Sequence, residues 1–135
     1  MTLTDAGSLI ALIDGKQAQS PLCRSALTTL SLPLLTTWPA FAEAMYLLGR
    51  IGGWPLQLNL WLLVEDGTLV LHAPTADEHL RMKTLMEQYR DRPMDLADAS
   101  LVAAAETRGD NRVFTIDADF FIYQLNGRQP FEVVP

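Results

Sequence analysis

Short apolar segments with strand character alternate along this chain with longer segments of helical period. That alternation restricts the fold to the α/β class with a mainly parallel sheet. Residues 1–4 read as a first strand, 32–36 as a second, 68–72 as a third and 112–115 as a fourth, with 131–134 as a further strand in the tail. Between them, residues 7–13 read as a turn or two of helix. Ser20-Pro21 opens a helix running to about Leu30, with proline tolerated in the first turn. Thr37 suits an N-cap for a helix that carries Phe41, Met45 and Leu48 on one face and ends at Arg50, before Gly52-Gly53. A further helix covers 55–65, and Asp66-Gly67 marks a turn. Residues 75–89 repeat Ala76, Leu80, Met82, Leu85 and Met86 at helical spacing. An Ala-rich helix spans 96–107 and ends at Gly109, and 117–121 forms a turn.

With 135 residues and no repeat, low-complexity tract or linker, the sequence predicts one domain, 1–135, large enough for a real hydrophobic core. Nearly half the residues are apolar, 49% on a broad definition, which excludes extensive disorder. The lone Cys23 excludes an intramolecular disulfide and a cysteine-based zinc site. No secretory signal pattern is visible at the start, and the expectation is a cytoplasmic protein. The most apolar region, residues 54–64, is too short to cross a bilayer as a helix, so no membrane association is expected. A net charge of −6 argues against a chain that only grips nucleic-acid backbone. It is compatible with a nuclease, whose carboxylate site is negative until metal fills it.

Four acids sit in apolar company where a solvated charge is not expected. Asp5 and Asp117 each follow a strand, at the carboxyl ends where open parallel sheets form their ligand crevice. Asp98 is flanked by alanines, and Glu43 lies mid-helix in Phe41-Ala42-Glu43-Ala44-Met45. Each has a plain structural alternative. Asp5, Asp95, Asp98, Asp117 and Asp119 all suit helix or turn caps. Glu43 caps nothing, and its alternative is an ion pair with Arg50 or another arginine. Taken together, several carboxylates in one crevice repel one another and raise each other's pKa. A divalent cation such as Mg²⁺ or Mn²⁺ resolves this with hard oxygen ligands. Such a site fits phosphodiester hydrolysis better than peptide hydrolysis, which more often uses zinc with histidine.

The motifs that carry these acids resemble, in order and over nearly the whole chain, those of the PIN-domain family and its VapC-type toxins. They are Thr4-Asp5-Ala6-Gly7-Ser8-Leu9, Glu43-Ala44-Met45-Tyr46-Leu47-Leu48, Asp95-Leu96-Ala97-Asp98-Ala99-Ser100-Leu101 and Thr115-Ile116-Asp117-Ala118-Asp119-Phe120. The resemblance implies a three-layer α/β/α sandwich and a metal-dependent endoribonuclease acting on RNA. It further implies a cognate antitoxin whose tail enters the active-site groove, and a homodimer. Position by position, Asp5, Glu43, Asp98 and Asp117 become the catalytic and metal-binding acids. Asp95 and Asp119 are second choices, and Thr115 and Ser8 are candidates to orient water or a carboxylate.

Other features carry less. His72 and His79 are seven apart, which suits no zinc motif, and His79 is expected to be exposed. Cys23 reads as a packed helix residue. Trp38, Trp54 and Trp61 read as core or interface packing before base stacking. Arg81, Lys83, Arg90, Arg92, Arg108, Arg112 and Arg128 are candidate phosphate contacts, though most read as surface charges. Gly52-Gly53 lacks the lysine and hydroxyl of a P-loop. The rival to the nuclease reading is a non-catalytic protein that keeps the fold and binds a partner. A phosphatase with an Asp-x-Asp nucleophile is disfavoured, because Ala6-Gly7 follows Asp5.

Overall fold

A computed structural model describes residues Met1–Pro135. Its elements are β1 (Thr2–Thr4), α1 (Ala6–Ile13), α2 (Ser20–Leu27), β2 (Leu34–Thr37), α3 (Trp38–Gly52), α4 (Trp54–Glu65), β3 (Leu69–His72), α5 (Ala76–Gln88), α6 (Leu96–Arg108) and β4 (Arg112–Phe114). A 3₁₀ turn (Ala118–Phe121), β5 (Gln124–Leu125), β6 (Gln129–Pro130) and β7 (Glu132–Val134) complete the chain. Five strands form one sheet in the order β3-β2-β1-β4-β7, and every pair is parallel.

Successive strand side chains point to opposite faces, so each buried strand feeds two cores. Leu34 joins a cluster with Leu9, Phe41, Leu48, Leu60 and Phe114 beneath α1, α3 and α4. Its neighbour Leu35 joins Leu3, Met82, Leu85, Leu101 and Val113 beneath α5 and α6. The result is the expected α/β/α sandwich. Helix α6 lies nearly inside the molecule, with every residue from Ala97 to Ala105 buried. Its alanines let it approach the sheet closely on one side while α5 covers the other.

The strand order decides where the site lies. The chain leaves β1 toward β2 and β3 on one side and returns to β4 and β7 on the other. The crevice between the carboxyl ends of β1 and β4 is therefore a topological switch point, the place where open parallel sheets bind ligands. Asp5 and Asp117 follow those two strands.

Several boundaries differ from the sequence reading. Strand β2 starts at Leu34, because Pro33 has no N–H for the ladder and Leu32 is exposed. Helix α2 stops at Leu27, where the Thr28 and Thr29 hydroxyls donate back to the carbonyls of Ser25 and Ala26. In α5 the buried stripe runs Glu78, Met82, Leu85, and the expected Ala76 and Leu80 lie on the exposed face. The hairpin of β5 and β6 was not anticipated. Its signal is Asn126-Gly127, both at positive φ, the pair that favours tight hairpins. Cys23 is fully buried and His79 is exposed, as expected. Trp61 packs edge-on against Phe41, whereas Trp38 and Trp54 are about half exposed. No helix is long and apolar enough to cross a membrane.

Candidate metal centre

Asp5 has the form of an N-cap and a second role beside it. One carboxylate oxygen, Oδ1, accepts from the Ala6 N–H at 2.7 Å, and Oδ2 accepts from the Thr115 hydroxyl at 2.9 Å. Its own N–H donates to the Phe114 carbonyl, so β4 fixes its backbone. The Thr115 hydroxyl also accepts from the Asp117 N–H at 3.0 Å. One threonine thus ties together the acids that follow β1 and β4.

Helix α6 supplies the third acid. Asp95 is its N-cap, and Asp95 Oδ1 accepts from the Asp98 N–H at 2.8 Å. Asp98 in turn points into the switch-point crevice. There a carboxylate oxygen each from Asp5, Asp98 and Asp117 lie within 4.8 Å of one another. Glu43 stands on α3 across the crevice, half-buried. A cavity of ≈ 240 Å³ is lined by Asp5, Glu43, Asp95, Asp98 and Asp117, with Ala6, Gly7, Ile10, Leu47 and Ile116 between them.

Electrostatics follow from that crowding. Burial, followed by repulsion from Asp5 and Asp95, pushes the Asp98 carboxyl up to about 8. Burial raises Asp5 to about 6, against the lowering effect of its bonds to Thr115 and Ala6. Glu43 is raised too, by burial and then by repulsion from Asp95, Asp5 and Asp117. The ion pairs of the molecule are His72–Glu78, Arg81–Glu106, Arg92–Asp119 and Arg112–Glu132. None reaches the cavity. Arg50, the sequence-based partner for Glu43, instead donates to the Tyr46 hydroxyl at 3.2 Å. Five carboxylates therefore share one space with no cation of the protein's own.

This donor set fits a hard divalent cation. It is all oxygen, three of its acids (Asp5, Asp98 and Asp117) bring their oxygens within 4.8 Å of one another, and it lacks the histidine or cysteine that zinc prefers. Asp119 lies apart, bound to Arg92 at 3.0 Å at the surface. Ser8 is buried but does not line the cavity. Of the arginines offered as phosphate contacts, Arg81, Arg92 and Arg112 are engaged in the ion pairs above. Sequence reasoning missed Tyr123, which is fully buried and donates its hydroxyl to Asp98 Oδ2 at 3.0 Å. No motif marks it, because it belongs to an irregular stretch whose position depends on the whole fold.

No family model matches the chain, and no curated protein matches it. Solved structures do. VapC20 of Mycobacterium tuberculosis, described as a Sarcin-Ricin loop cleaving toxin, superposes with a TM-score of 0.85 at 17% identity, over 96% of this chain and 100% of that one. VapBC2 from Rickettsia felis, solved bound to a DNA fragment from its promoter, matches at TM-score 0.72 and 10% identity, over 99% and 98% of the two chains. The chain has the VapC fold. A toxin–antitoxin complex from Klebsiella pneumoniae matches at TM-score 0.69 and 19% identity, over 89% of this chain and 90% of that one. At these identities it is the VapC architecture that is shared, and the acid cavity described above lies at the switch point of that architecture.

Proposed function

We propose that this chain is a divalent-metal-dependent endoribonuclease, the toxin of a toxin–antitoxin pair. The observation that carries the proposal is the cavity lined by Asp5, Glu43, Asp95, Asp98 and Asp117 without a protein cation. The VapC fold supports RNA as the substrate class. Asp5, Asp98 and Asp117 would hold Mg²⁺ or Mn²⁺, with Glu43 facing them and Asp95 beside them. Asp119 is the weaker candidate, given its bond to Arg92. When bound, such an ion stabilises charge on phosphoryl oxygens and makes water more acidic.

The chain's own groups do the rest. Thr115 holds the orientation of Asp5, and Tyr123 holds that of Asp98. The Glu43 carboxylate makes no hydrogen bond or ion pair within the protein. It is free to accept a proton from the water that attacks the phosphodiester, and its raised proton affinity suits that role. The apolar wall of Ile10, Leu47 and Ile116 limits bulk water around the reacting atoms.

The partner reading has separate support. An exposed groove of ≈ 800 Å³ between α3 and α5 is lined by Trp38, Pro39, Met82, Met86 and Leu96, next to Asp95. Its apolar character suits bulky side chains of an antitoxin tail. Exposed Tyr46, Ile51, Trp54 and Leu58 on α3 and α4 suit self-association, in line with the homodimer that the resemblance implies. A cytoplasmic location agrees with a lone, unpaired cysteine.

Calorimetric titration with Mn²⁺, paired with cleavage of single-stranded RNA, tests the central claim. Binding and cleavage that are both lost in a folded Asp98→Asn protein are expected. No binding at millimolar Mn²⁺ would instead favour a non-catalytic interaction module on the same fold. If a small reading frame adjoins this gene, its product is the antitoxin to co-express, and Trp38→Ala, at a half-exposed residue of the groove, is expected to weaken that complex.

A further inference from the structure

A second cavity, of ≈ 230 Å³, adjoins the acid cavity and shares Ile116 and Asp117 with it. Its other walls include Phe121 from the 3₁₀ turn, and Gln19 and Leu22 from the start of α2. The apolar side chains here face solvent: Phe121 is 69% exposed and Leu22 50%. Phe120, next to Phe121, is fully buried against Tyr123 and Phe131, so the turn that presents the outer ring is anchored in the core. Gln19 is exposed, and its carboxamide makes no hydrogen bond within the protein. No basic side chain lines the cavity.

We propose that this cavity is a nucleobase subsite. In it, the base next to the scissile phosphate leaves the RNA stack, lies on Phe121 and offers its edge to Gln19. The proposal rests on the ribonuclease reading of the acid cavity. Single-stranded RNA is read by bases splayed onto aromatic rings and hydrogen-bonded along their edges. The second cavity supplies a ring with a free face, an apolar wall, and an amide carrying both donor and acceptor. Lacking a cation, it suits a base and not a phosphate. Because Asp117 belongs to both cavities, a phosphate held at the acids places its flanking nucleoside in this one.

The test uses the whole chain and a short fluorescein-labelled single-stranded RNA. Affinity is read by anisotropy with Ca²⁺ in place of Mn²⁺, and cleavage kinetics with Mn²⁺. Phe121→Ala is expected to weaken binding and raise KM roughly 5- to 100-fold, the range that stacking of one base supplies. Phe121→Trp should keep wild-type affinity. Phe121→Leu, equally apolar but not planar, should fail like alanine. An RNA with an abasic site beside the cut bond should erase the difference between wild type and Phe121→Ala. If wild type cleaves RNA and both Phe121→Ala and Phe121→Leu bind it normally, the subsite is wrong; a changed mass by light scattering would then assign the face to a protein partner. If wild type neither binds nor cleaves RNA, the ribonuclease reading fails and takes the subsite with it.

Discussion

The Tyr123 hydroxyl donates to Asp98 Oδ2 at 3.0 Å, joining the irregular segment after the 3₁₀ turn to the first turn of α6. This bond lowers the proton affinity of Asp98 against burial and its acidic neighbours, which raise it. Tyr123→Phe keeps the ring, which packs edge-on against Tyr89 and Phe120, and removes only the donor. Asp98 should then hold its proton more tightly. Mn²⁺ affinity is expected to fall about tenfold, the usual scale for a group that orients a metal ligand. The pH at which activity rises should move upward. An unchanged pH profile in a folded variant would remove Tyr123 from the site's design.

The raised acids also set the pH dependence of the metal-free protein. Asp5 and Asp98 bind protons more tightly folded than unfolded, so the native state carries the extra protons between about pH 4 and 8. Where the native state holds more protons, stability falls as pH rises. Thermal unfolding in a chelator should therefore show a melting temperature that declines through this window and levels off above about 8. Mn²⁺ should reverse the decline, and calorimetry in buffers of different ionisation heat should detect proton release on binding. A metal-free protein that gains stability from pH 5 to 8 would contradict this account.

Asp98→Asn separates function from folding. The substitution removes a buried negative charge that the fold disfavours when the site holds no metal. At pH 8 the metal-free variant should melt several degrees above wild type, since about 1 kcal/mol corresponds to a few degrees in a domain of this size. RNA cleavage should drop by at least about a hundredfold. Opposite signs in the two measurements are the signature of a charge kept for chemistry.

Asp117 and Asp119 are two residues apart but have different surroundings. Asp117 contributes to the three-acid cluster, and Asp119 is bound to Arg92 outside the cavity. Asp117→Asn should lose Mn²⁺ binding, while Asp119→Asn should retain it at close to wild-type affinity. Equal losses in both would mean that Arg92 releases Asp119 to the metal.

Thr115→Val probes the link between the two strand ends. It leaves Asp5 Oδ2 without its donor and the Asp117 N–H without its acceptor. Orphaning buried polar groups costs about 1–3 kcal/mol, so a lower unfolding midpoint in urea is expected along with weaker Mn²⁺ binding. Thr115→Ser should restore most of both.

The legible and the hidden parts of this protein divide along one line. Caps are local, and so Thr37, Thr75 and Asp95 each take a bond from the N–H three residues on, as their positions in the sequence suggest. Alternation in a strand is equally local, so Leu34 and Leu35 enter opposite cores. Local pattern goes wrong where the next layer decides. Leu80 fits the helical period of α5, yet α6 covers the Met82 and Leu85 stripe and leaves Leu80 in solvent.

For the candidate site, acids set in apolar company, Asp5 and Asp117 after strands, Asp98 near a helix start and Glu43 mid-helix, were enough to single out these four. Only the tertiary structure decided which of them meet, because convergence depends on strand order, and β1 and β4 become neighbours only once more than a hundred residues between them have folded. The same closure brings Thr115 to Asp5, Tyr123 to Asp98 and Phe121 to the edge of the acid cavity. It also leaves five carboxylates facing one another with no basic side chain among them, a relation in space that spacing along a chain does not contain.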